Sequence, residues 1–167
     1  MASVVTLMVF VMIVAVIAAI EGLVASGSAS GWFRFSAQVV WTPPKELSRG
    51  IWAVVFLLLA IGGWLVWRRT PVATAPRART LYAIGLALLA IWPPMYLDGY
   101  PVLGVAALWI AFAMAFMLVI TVVVLVWSTW RDNRTAALVL IPVAAWLFYS
   151  TTTNFGNAVL ATLAAVT

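Results

Sequence analysis

The chain has 167 residues, 66% of them hydrophobic and 8% charged, with a mean hydropathy of +1.17. Soluble domains are about half apolar, so this composition excludes an ordinary soluble protein; at roughly 20 residues per span it has room for about five transmembrane helices and no separate soluble domain. The net charge of +5 comes from basic residues scattered between apolar runs, which suits topology signals rather than a nucleic-acid track; the absence of Cys and His removes disulfides, thiolate nucleophiles, zinc sites and the commonest haem ligands.

The first apolar run, Ser3 to Ala25, precedes a small-residue stretch, ASGSASG, that resembles a signal-peptidase site. No Lys or Arg precedes the run and it exceeds a usual signal core, so a retained first span is expected, with cleavage as the alternative. Glu21 is its one carboxylate. An acid at membrane depth can mark a proton or substrate path, but one further turn reaches the interface, and snorkelling is the favoured reading.

Residues 26–50 form a long aromatic and proline-rich connection. Pro44 has the fixed φ and missing N–H that suit a first helical position, while Pro43 before it is held extended. The second helix is therefore expected to start at Pro44, with Glu46 at its positive end and Arg49 within pairing reach. Trp52 then lies about 12 Å along the helix, just inside the hydrocarbon, and Trp41 stays above it. Taken alone, this stretch is read first as an interfacial aromatic belt.

Ile51 to Trp67 is the second span, and residues 68–80 carry Arg68, Arg69, Arg77 and Arg79. The third, Leu81 to Leu97, is interrupted by Pro93 and Pro94, which leave the carbonyls of Leu89 and Ala90 without helical donors. Those carbonyls either face a cavity and accept from water or a ligand, or are patched by neighbours at a kink. After a tight turn at 98–101 comes the fourth span, Val102 to Trp127, with a small-xxx-small ridge at Ala107, Ala111 and Ala115; such a ridge fits a helix of the same chain or a second copy.

In the fifth span, Ala136 to about Val166, Trp146, Ser150, Thr153 and Asn157 share one face, with Asn154 at its edge. This stripe is either self-bonded hydroxyls and helix glue or the polar side of a pocket. Six arginines lie on the side of the N-terminus, against Arg34, Lys45 and Arg49 on the other. The N-terminus is thus expected in the cytoplasm, with the first loop and the C-terminus opposite.

The string Trp41-x-Pro43-Pro44 with Trp52 eight residues on, then GGWLVW (62–67), LYAIGLALLAIWPP (81–94) and IPVAAWLFYSTTTNF (141–155), resembles in order and spacing the tryptophan-rich sensory protein and translocator protein family. The resemblance covers Trp32 to Phe155 and is weak in the first helix and the last dozen residues. It implies an all-α membrane protein, a single five-transmembrane-helix bundle over 1–167, lidded by the first loop at 26–50. It also implies a bacterial membrane, a possible homodimer, and a pocket for porphyrins, lipids or aromatic drugs. Light-dependent porphyrin breakdown in some relatives maps onto Trp52 and Trp146. The chain departs from the family pattern at Leu89 and Ala90, which replace an Asn-Trp pair, at Gly85 and Val105, and in lacking a basic residue after the fifth helix.

The expected function is binding of a porphyrin (protoporphyrin or haem) or a similar planar, apolar ligand, in a sensory or ligand-handling role with no required cofactor. Besides membrane lipid, that small ligand is the expected partner. The expected site comprises Trp41, Pro43, Pro44, Trp52, Leu89, Trp92, Trp146, Ser150, Thr153 and Asn154, with no metal. Conventional acid–base enzymology is not expected, because there is no His and no paired carboxylate at helical spacing. Two alternatives stay open: photo-oxidative porphyrin degradation through Trp52 and Trp146, and small-molecule transport.

Overall fold

The computed structural model describes residues 2–28, 31–70 and 73–166. Residues 29–30 of the small-residue stretch, residues 71–72 of the arginine-rich loop, and the side chains of Arg34 and Arg69 lie outside the described part. Apart from its connections the described chain is helical: α1 (Ala2–Ser28), α2 (Trp32–Phe35), α3 (Lys45–Arg69), α4 (Ala75–Leu97), α5 (Tyr100–Leu103), α6 (Val105–Thr129) and α7 (Arg134–Ala164). Among the described residues α1, α3, α4, α6 and α7 are long and apolar enough to cross a membrane. Closed hydrogen bonding within each rod is what lipid demands, since no water is present to satisfy an open backbone.

The helices outrun the apolar runs that signal them. Helix α3 begins at Lys45, six residues before Ile51, and α4 begins at Ala75, six before Leu81. Charged first turns remain helical because they lie at headgroup depth, where their side chains are solvated. Pro44 is the N-cap of α3 rather than its first helical residue, with ψ at 143°, and its carbonyl accepts from the Ser48 amide at 2.9 Å. Arg49 pairs with Glu46 at 2.9 Å in full exposure, a contact worth well under about 1 kcal/mol. Helix α4 runs through Pro93 and Pro94 to Leu97. The tight turn at 98–101 becomes the short α5, which the turn at Gly104 joins to α6.

Two core regions stack along the bundle. The larger joins Phe10, Val14 and Ile17 of α1 to buried residues of α3, α4, α6 and α7. Among the described residues of α1 only this stripe is deeply buried, the i, i+4, i+7 pattern of a helix at the rim of a bundle. The smaller region gathers Trp92, Tyr96, Leu108, Ala111, Ala115 and Ala158 near the lid. Ala107, Ala111 and Ala115 are buried against the chain's own helices, so the small-residue ridge serves α6 packing inside the monomer and offers no face to a second copy.

Close approach of α3 to its neighbours depends on the glycine pair of GGWLVW. A Cβ on Gly62 would come within 2.6 Å of Leu140, and one on Gly63 within 2.4 Å of the Tyr82 ring. Tyr82 donates its hydroxyl to the Leu59 carbonyl at 2.8 Å and packs edge-on against Phe10. A methyl at position 63 must therefore displace a hydrogen-bonded ring in a packed interior. Gly63→Ala is expected to cost about 1–3 kcal/mol, as overpacking does. Gly50→Ala, where nothing lies within 4 Å of the added carbon, should leave stability unchanged or raise it by up to about 1 kcal/mol; thermal unfolding in detergent compares the two.

Candidate functional site

Three indoles from three helices meet near the lid. Trp52 of α3 stacks on Trp92 of α4 with centroids 6.0 Å apart and planes at 30°, and meets Trp146 of α7 edge-on at 6.1 Å and 84°. Phe56, Tyr96 and Tyr149 extend the cluster from the same helices. Each ring lies where the helical repeat brings an aromatic to the inner face at one depth. Such offset and edge-on pairs match the ring quadrupoles and add about 0.5–1.5 kcal/mol each to the burial of area.

The polar groups around these rings fall into two kinds. Asn154 accepts from the Trp92 indole N–H at 3.2 Å and donates its own amide to the Ser150 carbonyl at 2.8 Å. It thus joins α7 to α4. Thr153 instead donates to the Ser150 carbonyl at 2.7 Å, and Thr151 and Thr152 likewise bond their own helix. Their hydroxyls are spent on the backbone, which is the usual fate of Thr in a lipid-embedded helix. The Trp146 indole N–H is different: it is buried and has no hydrogen-bond partner. A buried donor left unpaired costs about 1–3 kcal/mol.

The lid is a strap. Helix α2 anchors it, because Trp32 donates to the Leu97 carbonyl at the end of α4 at 2.7 Å and stacks on Tyr100 at 4.0 Å. The following residues cross α7. Asn157 accepts from the Val39 amide at 3.0 Å while donating to the Tyr96 hydroxyl at 2.8 Å, and the Tyr149 hydroxyl donates to the Trp41 carbonyl. Between these two ties the strap lies directly on Gly156, where a Cβ would fall 2.5 Å from Val39 and 3.1 Å from the Trp41 ring. Only a residue without a side chain lets the strap descend this far.

Of the expected site residues, Trp52, Trp92, Trp146, Ser150 and Asn154 are brought together. Trp41 belongs to the strap and is 47% exposed, while Pro43 and Pro44 lie where the strap enters α3. Leu89 is fully buried in the larger core and lines a cavity of about 10 Å³ with Gly85, Leu86 and Leu147. That space suits about one water-sized molecule. Four residues that shape the site, Tyr96, Tyr149, Gly156 and Asn157, are not in the expected set. Asn157 does carry a signal in the sequence, as an amide on the Trp146 face; Tyr149 and Gly156 carry none apart from the strap they receive.

The model of the TspO/MBR family matches residues 9–160. The chain is 27% identical to the translocator protein of Homo sapiens over 133 residues, covering 77% of this chain and 74% of that protein. It is 26% identical to the translocator protein of Ovis aries over 134 residues, with the same coverage of each chain. The family match runs from the first helix through the lid and the three indoles to the last turns of α7. With five bilayer-length apolar helices around that cluster, the chain is an integral membrane protein of the TspO/MBR family.

Proposed function

We propose that the protein binds a planar, apolar ligand of the porphyrin class against Trp52, Trp92 and Trp146, beneath the strap formed by residues 36–44. The observation that carries this reading is the buried, unpartnered Trp146 N–H, a donor in a wall of stacking rings. A macrocycle bearing carboxylates offers both an extended π-face and an acceptor for that donor. Asn154 is the second polar group in reach of the same rings, though the Trp92 indole already occupies its oxygen.

The indoles touch one another, so a ligand enters only if they part. Two rings sandwiching a third need about 7 Å between them, at roughly 3.5 Å per contact, and the Trp52 and Trp92 centroids are 6.0 Å apart. Release of the strap from Asn157 and Tyr149 is the motion that frees them. The face of the lid and the C-terminus then lies away from the cytoplasm, following the arginine asymmetry.

A second reading keeps this site and adds chemistry. A bound porphyrin excited by light passes one electron to dioxygen, giving superoxide and a macrocycle cation radical whose charge the touching indoles share, and the superoxide then adds to the macrocycle so that both oxygen atoms end in the product. It is favoured by the direct contact of Trp52 with Trp146, which provides a short path between rings.

Quenching of tryptophan fluorescence in detergent tests the binding reading. Protoporphyrin should quench with micromolar or tighter affinity and an excess of sterol should not displace it, and Trp146→Phe, which keeps a ring and loses the donor, should weaken binding roughly tenfold, the loss expected for one hydrogen bond of about 1–1.5 kcal/mol. No saturable quenching by protoporphyrin or haem defeats the proposal. Release of the strap is separately measurable by hydrogen exchange. Asn157→Leu removes the acceptor of the Val39 amide, so that amide should exchange about tenfold faster, with protection in the middle of α6 unchanged. Illumination of the protoporphyrin complex in air separates the two readings: bleaching that Trp146→Phe abolishes at saturating ligand establishes turnover, and spectra that stay constant establish binding alone.

A further inference from the structure

The end of the bundle opposite the lid carries a second, unrelated constellation. Arg68, Arg69, Arg77, Arg79, Arg131 and Arg134 cluster there with a single carboxylate, Asp132, whereas the lid end balances Arg34, Lys45 and Arg49 against Glu21, Glu46 and Asp98. Three of the six arginines are occupied by indoles: Arg68 lies over Trp64, Arg79 over Trp67 and Arg134 over Trp130, each 5.3 Å from the ring centroid. Arg79 also donates to the Trp67 carbonyl. Arg77 and Arg131 are exposed and, among the described residues, have no ion pair, hydrogen bond or ring partner.

Both free guanidinium groups line one cleft of about 430 Å³ between the amino end of α4 and the carboxyl end of α6, together with Trp127, Ser128, Trp130 and Asp132. This is the size of a small-molecule site. Helix α4 opens onto it with no side-chain cap on its first amides, so the positive end of its dipole adds to the field of the two arginines. Guanidinium groups match phosphate oxygens in a two-pronged geometry, and neither is paired with the cleft's one carboxylate, Asp132.

A track for an acyl chain leads away from the same cleft. Phe116, Ile120, Val123 and Trp127 follow i, i+4, i+7, i+11 spacing on α6 and are 49%, 40%, 49% and 74% exposed, so one apolar stripe runs from the cleft down the lipid-facing side of the bundle. A soluble anion has no use for that stripe. We infer that this cleft is a binding site for an anionic phospholipid, its phosphate held by Arg77 and Arg131 and its acyl chain lying along the α6 stripe. Trp127 sits at the junction, the depth that indoles favour at a membrane interface. The field of the remaining arginines selects an acidic headgroup over a zwitterionic one.

Native mass spectrometry of the full chain released from detergent, after incubation with phosphatidylglycerol or phosphatidylcholine, tests the site. One phosphatidylglycerol should be retained in preference to phosphatidylcholine, and Arg77→Gln/Arg131→Gln should weaken retention roughly thirtyfold, at about fivefold per charge near the surface. Lys45→Gln/Arg49→Gln, which removes equal charge from the opposite end, should leave it unchanged. Asp132→Asn, with the cleft's one carboxylate neutralised, should tighten retention several-fold. Equal retention of the two lipids overturns the inference. So does an equal loss in both double variants, which would mean that net charge alone attracts the lipid, or no change with Asp132→Asn. A thermal shift with inorganic phosphate that Arg77→Gln/Arg131→Gln removes, without lipid retention, would mark a soluble-anion site and defeat the lipid assignment.

Discussion

One carboxamide holds the lid, and with it the candidate site, in place. Asn157 is 7% exposed and turns its oxygen to the Val39 amide and its nitrogen to the Tyr96 hydroxyl. It thereby couples the strap, α4 and α7 through a single side chain. No apolar residue can replace it without cost, because the Val39 amide and the Tyr96 hydroxyl would both lose their partner in a region poor in water. Gly156 beside it works by absence of a side chain, letting the strap sit low enough for Asn157 to reach its backbone. The indoles below are thereby covered by a segment fixed at discrete points rather than by a broad packed surface.

In the proposed binding, that manner of closure sets the cost of entry. Two hydrogen bonds to the strap, each of about 1–1.5 kcal/mol net, set an opening cost of order 3 kcal/mol before the packing of Val39 and Trp41 on Gly156 is counted. An open fraction near one in a hundred would weaken apparent affinity by about the same factor, since only the competent state binds. The unpaired Trp146 donor acts in the other direction. Its penalty is present in the closed state and is relieved when a ligand supplies an acceptor, so part of the opening cost is returned on binding. In the proposed binding, the Trp146 donor favours ligands that carry an acceptor at their edge over wholly apolar ones.

The fold and the family were legible because both rest on signals that lipid makes unambiguous. A membrane admits few backbone solutions, and the order of W-x-P-P, W-P-P and the Trp146 helix is retained in a chain of five apolar runs; the match over residues 9–160 agrees. Helix ends were less legible, since hydropathy marks the edge of the hydrocarbon rather than the end of the helix, and α3 and α4 both begin six residues earlier than their apolar runs. Within the site, periodicity placed Ser150, Thr153 and Asn157 on one face but could not say which side chains bond across helices. Thr can return its hydroxyl to its own backbone, whereas the longer Asn reaches across, and so Asn154 at the edge of the stripe meets Trp92 while Thr153 at its centre does not. Tyr149 and Gly156 are meaningful only once the strap crosses α7, a long-range fact that no local pattern contains.

The two ends of the molecule solve opposite problems with the same residue types. Near the lid, tryptophans pack on one another and on amides, where charge is nearly balanced and the rings form an interior. At the other end, Trp64, Trp67 and Trp130 each lie beneath an arginine, and the pairing keeps a guanidinium at interface depth by giving it a π-face in place of water. An indole is apolar enough to sit in a bilayer and polar enough to meet what lies at its boundary. A tryptophan count alone therefore does not locate a ligand site. What separates the two ends is the partner of each ring: near the lid it is another ring or an amide, and at the opposite end it is a cation.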